Sequence, residues 1–167
     1  MTISQGLRHS KKLKGQLAEL QARAQNSVSY KADQKPAFLF GQTVEQIDRV
    51  RSDLIEMETR LAVTNATTKI DYAGRKIPLT SAVRTLQELK SFIAWLRGLT
   101  PRAHEDTYEE EIEWNDTMDK RIRIQTKWTC DFPEAKRIER VDACQSDFDR
   151  LNDAVERANN VTELVKL

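Results

Sequence analysis

The stretch TVEQIDRVRSDLIEMETRL, residues 43–61, decides the fold. Within it Ile47, Val50, Leu54, Met57 and Leu61 recur at steps of three, four, three and four residues. An α-helix has about 3.6 residues per turn, so this alternation sets the five side chains along one narrow seam, as in a coiled coil. Thr43 followed by Gln46 has the spacing of a capping box, a hydroxyl for an early backbone N–H and an amide that reaches back. The pattern predicts a helix over 43–64.

Upstream, Ile3, Leu7, Leu13, Leu17, Leu20 and Ala24 lie on one helical stripe and predict a partner helix over 2–25. Between the two helices periodicity is lost around Pro36. The apolar run Ala37-Phe38-Leu39-Phe40 reads there as a plug over the end of a bundle.

Downstream, Ile70 to Ile77 reads as a small hairpin turning at Ala73-Gly74, with Pro78 closing it. Thr80 is a natural N-cap for a helix over 80–97 carrying Ala82, Leu86, Leu89, Ile93 and Leu96, stopped by Gly98 and Pro101. Phe92 and Trp95 widen its apolar face, as packing against more than one neighbour requires. Over 108–130 the period changes to two. Tyr108, Ile112 and Trp114 alternate with Glu109, Glu111 and Glu113, and Ile122, Ile124, Thr126 and Trp128 alternate with Arg121, Arg123, Gln125 and Lys127.

That alternation predicts a second hairpin with one aromatic and aliphatic face and one charged face. With Ile112 opposite Ile122, Glu113 faces Arg121 and Glu111 faces Arg123. Exposed pairs of this kind are worth roughly 0.2–1 kcal/mol each and set register more than they stabilise. A last helix over 134–160 carries Val141, Cys144, Phe148, Leu151, Val155 and Ala158.

The expected fold is mainly α, an antiparallel helical bundle or coiled-coil hairpins with one or two small β-hairpins, in a single domain over 1–167. Five Gly and four Pro suit long uninterrupted elements. The charge of +1 gives no basic excess, so nucleic acid is an unfavoured partner. No apolar run reaches bilayer length and no signal-peptide core follows Arg8, Lys11, Lys12 and Lys14, so no membrane partner and a cytoplasmic address are expected.

The chemistry-bearing residues do not complete a known constellation. Cys130, Cys144, His9 and His104 are the only cysteines and histidines, and no ordinary structural zinc site is expected from them. Neither His stands near a Ser or Cys nucleophile in a recognised arrangement, and no Gly-rich phosphate loop exists. The run Glu109 to Glu113 reads as a solvated charge face. No metal, cofactor or catalysis is expected. Arg121, Arg123 and Lys127, with Trp114 and Trp128, are the ingredients of an anion or nucleotide site, since cations hold phosphate and aromatics stack a base. On a flat ribbon of the register above, the cations and tryptophans fall on opposite faces, so one pocket would need two chains. Asn65, Thr67 and Asn159 stand at helix ends, where such side chains cap backbone groups.

Several short motifs occur in a particular order. They are Thr64-Asn65-Ala66-Thr67-Thr68, a Gly turn, Leu79-Thr80-Ser81-Ala82, Glu111-Ile112-Glu113-Trp114 with Thr117-Met118-Asp119, and Leu151-Asn152 through Asn159-Asn160-Val161-Thr162-Glu163-Leu164. Over about three quarters of the chain this order resembles the septicolysin-like family of small bacterial and phage helical proteins. The resemblance implies a helical, oligomer-forming protein without an assigned activity. The chain departs from it at Leu86-Gln87, where the family has Arg-Asp, at Asn160, where it has Trp, and at Glu109 and Glu110, where it has a basic stretch with Tyr.

Narrow seams, extra aromatics and a hairpin in need of cover supply more apolar surface than one slender bundle consumes, which points to a homo-oligomer. The expected function is a non-catalytic binding protein sequestering a small anionic or nucleotide-type ligand in inter-subunit pockets, as a phage-encoded sponge would. The alternative is a structural or adaptor module without a small-molecule ligand. The site residues expected for the first are Arg121, Arg123, Lys127, Trp114, Trp128, Asn65, Thr67 and Asn159.

Overall fold

A computed structural model gives the fold. It describes the backbone of residues 1–31, 33–34, 37–101, 107–115, 118–126 and 129–166, and the side chains of these outside 107–126. Among the described residues, four helices, α1 (Ile3–Ser27), α2 (Phe40–Thr67), α3 (Leu79–Gly98) and α4 (Glu134–Val161), are joined by two antiparallel ribbons, one between α2 and α3 and one between α3 and α4. The ribbons are β1 (Lys69–Tyr72) with β2 (Arg75–Pro78), and β3 (Thr107–Asn115) with β4 (Met118–Thr126). The chain is mainly α with small β-hairpins, as the heptad and period-two patterns predict.

The chain divides into two compact units, one of residues 1–85 and 151–167, the other of 86–150. In the first, α1 and α2 pair as a helical hairpin. Thr2 opens α1 with a full capping box, its hydroxyl accepting from Gln5 N and the Gln5 amide oxygen accepting from Thr2 N. The α1 seam keeps the expected stripe except at Leu7. Ile3, Gly6, Ser10, Leu13, Ala24 and Ser27 are buried, Leu17 and Leu20 half-buried, while Leu7 is about half exposed. Steps of three and four run unbroken from Ile3 to Ser27, with small residues at four of the eight positions. Leu7 lies one residue off this line and turns outward.

On α2 the seam runs from Thr43 to Thr64 through Ile47, Val50, Leu54, Met57 and Leu61. The helix starts at Phe40, three residues before the expected Thr43 cap, and Leu39 occupies the N-cap without a side-chain bond. Thr43 is buried inside the helix, and its hydroxyl donates back to Leu39 O at 3.0 Å. A Thr hydroxyl can bond either forward as a cap or back to the i−4 carbonyl, and burial on the seam selects the second. Phe38, Leu39 and Phe40 are each about half exposed, so the expected plug does not form.

The C-terminal segment closes one end of this hairpin. Ile3 N donates to Thr162 O at 3.0 Å and Leu164 N to Met1 O at 2.9 Å, an isolated antiparallel bridge between Thr2 and Glu163. Val165 N donates to the hydroxyl of Thr64 at 3.1 Å, and Arg60 Nε donates to Val165 O at 2.9 Å. A methyl placed on Gly6 would stand 2.7 Å from Leu164 Cδ1 and 3.2 Å from Leu61 Cδ2, so the bare Cα is what lets tail and helix approach.

The β1–β2 turn is at Ala73-Gly74 as expected, and both residues have positive φ, 49° and 73°. That is the two-residue turn whose twist matches paired strands. Leu79, fully buried, follows Pro78 directly, and its N–H donates to Thr68 O at 2.8 Å. The bond joins the end of α2 to the start of α3, and Thr80 is exposed inside the helix rather than capping it.

In the second unit Ile93, Leu96, Val141 and Cys144 form a buried cluster with Leu99 and Phe148 against it. Arg137 fixes one end of it. Its guanidinium donates to Leu96 O at 3.1 Å and grips the Glu134 carboxylate through Nε at 2.6 Å and through a second nitrogen. That contact holds the Glu134 carboxyl below its usual pKa. Phe92 and Trp95 are exposed and stack on each other, ring centres 5.5 Å apart, with the Arg140 guanidinium 6.0 Å from the Phe92 ring.

Candidate functional site

The β3–β4 ribbon carries the expected anion-binding residues, and its register differs from the expected one by a single residue. Ile112 pairs with Arg121 rather than Ile122, Glu111 with Ile122, Glu113 with Lys120, Glu110 with Arg123 and Trp114 with Asp119. Asn115 pairs with Met118, so two residues separate the strands where the sequence suggested a three-residue turn. Two-residue connections match the strand twist better, and a slip of one residue exchanges the faces of a whole strand.

Residues directly opposite in an antiparallel pair share a face. Positions 108, 110, 112 and 114 therefore lie on the same face as 119, 121, 123 and 125. This corrects two expectations. The ribbon has no wholly apolar face, because each face joins the apolar positions of one strand to the charged positions of the other. The positions of Trp114, Arg121 and Arg123 also fall on one face, not on opposite ones. Lys127 and Trp128 lie outside the described residues, as does His104.

The other three expected residues belong to the first unit and do local work or none. Thr67, the last residue of α2, donates its hydroxyl to Val63 O at 2.9 Å and lies 3.3 Å from Thr64 O, which ties it to the helix end. Asn65 is half-buried, and its side-chain oxygen is the one buried polar side-chain atom without a hydrogen-bond partner among the described residues. Asn159 is half-buried on α4.

Three concavities that the sequence did not signal accompany these. A groove of about 330 Å³ runs between α1 and α2, lined by Gln16, Leu20, Arg23, Gln46, Arg49 and Val50 among others. A second, of about 370 Å³, lies at the α1–α2 connection beside Tyr30 and Phe38, where the Arg23 guanidinium stands 5.0 Å from the Phe38 ring centre. A third, of about 310 Å³, lies between α3 and α4 and is lined by Lys90, Ile93, Ala94, Arg97, Gln145 and Phe148. The first and third join helix surfaces far apart in sequence, so no linear motif could have announced those two.

Among the described residues no group of three His, Cys, Asp or Glu side chains is arranged to hold a metal ion. No helix among them is long and apolar enough to cross a membrane.

No family model matches the chain, and no curated protein matches it. A solved structure described as a functionally unknown conserved protein from Corynebacterium diphtheriae is similar over 99% of both chains, with a TM-score of 0.67 at 16% identity. At that identity the likeness is one of fold: this arrangement of helices and ribbons is also found in that bacterial protein.

Proposed function

We propose that the protein is a non-catalytic, homo-oligomeric binding protein that holds a small anionic or nucleotide-type ligand on the β3–β4 ribbon. The observation that carries this reading is the ribbon's register, which sets the positions of Trp114, Arg121 and Arg123 on one face. Two cations spaced two residues apart and an aromatic on the neighbouring strand match the needs of a phosphate and a base. The oligomer is supported by the half-buried apolar seam of the α1–α2 hairpin at Leu17, Leu20, Ile47, Val50 and Leu54. Seams of this kind are covered in a stable bundle by further helices, and another copy of the chain supplies them at no cost in new sequence.

Native mass spectrometry of gently purified protein tests the reading. An oligomer carrying a stoichiometric small molecule is expected, with the molecule lost and the oligomer kept in Arg121→Ala and Arg123→Ala. A bare monomer that takes up no anion would overturn it.

A second reading, an adaptor that binds another protein, is favoured by a different observation. Val28, Tyr30, Phe38, Leu39 and Phe40 are exposed together in sequence around the α1–α2 connection. A partner that is lost on Phe38→Ser, and a ligand-free protein, would favour that reading.

A further inference from the structure

The concavity between α3 and α4 within the second unit has a construction that packing alone does not require. Its floor is Ile93 and Ala94 on α3, with Ile93 part of the buried cluster, and Phe148 of α4 lines it from the facing helix. Lys90 and Arg97 stand at its two ends on α3. They are seven residues apart, two helical turns, which places them on one face about 10 Å from each other along the axis. The apolar pair at 93 and 94 falls between them on the same face.

Neither cation has an acidic partner among the described residues. Arg97 donates one N–H to the neutral side chain of Gln145, at 3.2 Å. The Gln145 amide in turn donates to Asp149 at 3.0 Å. The amide thus stands between guanidinium and carboxylate, and the Arg97 fork keeps unshared N–H groups. A basic residue in the last turn of a helix is favoured by the helix dipole, which accounts for Arg97 without any ligand. Lys90, two turns earlier, has no such account.

We propose that this slot binds a small organic anion with a flat apolar body, the body lying on Ile93, Ala94 and Phe148 and the charged group held by Arg97 and Lys90. Its volume of about 310 Å³ is at the small end of ligand pockets, which limits the occupant to a one- or two-ring compound. The slot shares no residue with the β3–β4 ribbon and does not depend on the function proposed for it.

Calorimetric titration of the full chain with naphthyl phosphate is the test, with naphthol and inorganic phosphate as separate titrants. A saturable site that depends on Lys90 and Arg97 is expected for naphthyl phosphate, with both fragments at least tenfold weaker there, because each satisfies only half of the slot. Lys90→Ala and Arg97→Ala should each weaken binding about tenfold, Lys90→Arg should retain it, and Arg49→Ala should leave it unchanged. Helical circular dichroism checks that each variant is folded. No saturable binding by the wild type, or equal binding by a folded variant lacking both cations, would overturn the proposal.

Discussion

Two stretches of the α1–α2 hairpin follow one heptad rule and reach different degrees of burial. At the end where α1 begins, Ile3, Gly6, Met57, Leu61 and Thr64 are all buried, and the tail from Thr162 to Val165 is bonded across both helices. Farther along, toward the middle of both helices, Leu17, Leu20, Ile47, Val50 and Leu54 stay half-buried and a groove runs beside them, while the small Ala24, Ser27 and Thr43 beyond them are buried. The residue types differ little. The difference lies in what covers the seam, a strand-like tail carrying Leu164 in the first case and no described element in the second. A two-helix seam buries its side chains on one side only, and a third element is needed to take the rest from water.

Truncation within the seam should break the symmetry of the rule most visibly. Leu61→Ala is expected to cost about 2–5 kcal/mol, since a buried leucine leaves a cavity as well as losing its transfer energy. Val50→Ala in the half-buried stretch should cost only about 1 kcal/mol. Urea unfolding of the two variants measures both, and equal losses would mean that the open stretch is covered in solution.

Next comes the close approach at Gly6. Gly6→Leu should cost about 1–3 kcal/mol by forcing Leu164 and Leu61 apart. Gly6→Ala should be near neutral, because the gain of about 1 kcal/mol in helix propensity offsets the displacement of one flexible methyl. A large loss in Gly6→Ala would show that the tail is clamped too rigidly to yield.

Smaller still is the tail's anchor. Thr64→Val removes the acceptor of the Val165 N–H and should cost about 1 kcal/mol. Amide exchange at Val165 should accelerate while exchange in the middle of α2 holds.

The smallest effect concerns the ion pair between the two stretches. Lys14 Nζ stands 2.6 Å from Glu58 Oε1, and Ser10 donates to the same oxygen at 3.2 Å. The Lys14 contact, aided by Ser10, holds the Glu58 carboxyl below its usual pKa. A lowered folded pKa means the contribution is present above the ordinary carboxylate range and is lost as pH falls through the folded value. Lys14→Ala should therefore differ from wild type slightly at pH 7 and less as the pH is lowered below the ordinary carboxylate range, as thermal melts across that range would read.

Much of this was legible in the sequence, and the misses have one origin. Ile47, Val50, Leu54, Met57 and Leu61 were readable because large apolar residues announce a seam. Gly6 and Ser10 were not, because their burial comes from what they allow to approach rather than from their own hydrophobicity, and the nearest leucine, Leu7, drew the stripe away. Thr43 misled for a related reason, since a hydroxyl serves a cap or an i−4 carbonyl with equal chemistry. In the candidate site, the alternation of β3 and β4 was plain, but their register turned on one residue of connection length, and with it the side on which Arg121 and Arg123 meet Trp114. The slot holding Lys90 and Arg97 needed Phe148 and Gln145 from another helix before it existed at all.

The sequence by itself determined the elements: four helices from period and stop signals, and two ribbons from alternation and turn residues, all of them consequences of neighbours along the chain. Only the tertiary structure decided which seam positions are buried, which faces of the ribbon coincide and where concavities open. Those depend on the distance between segments remote in sequence, and side-chain patterning within one segment cannot specify it.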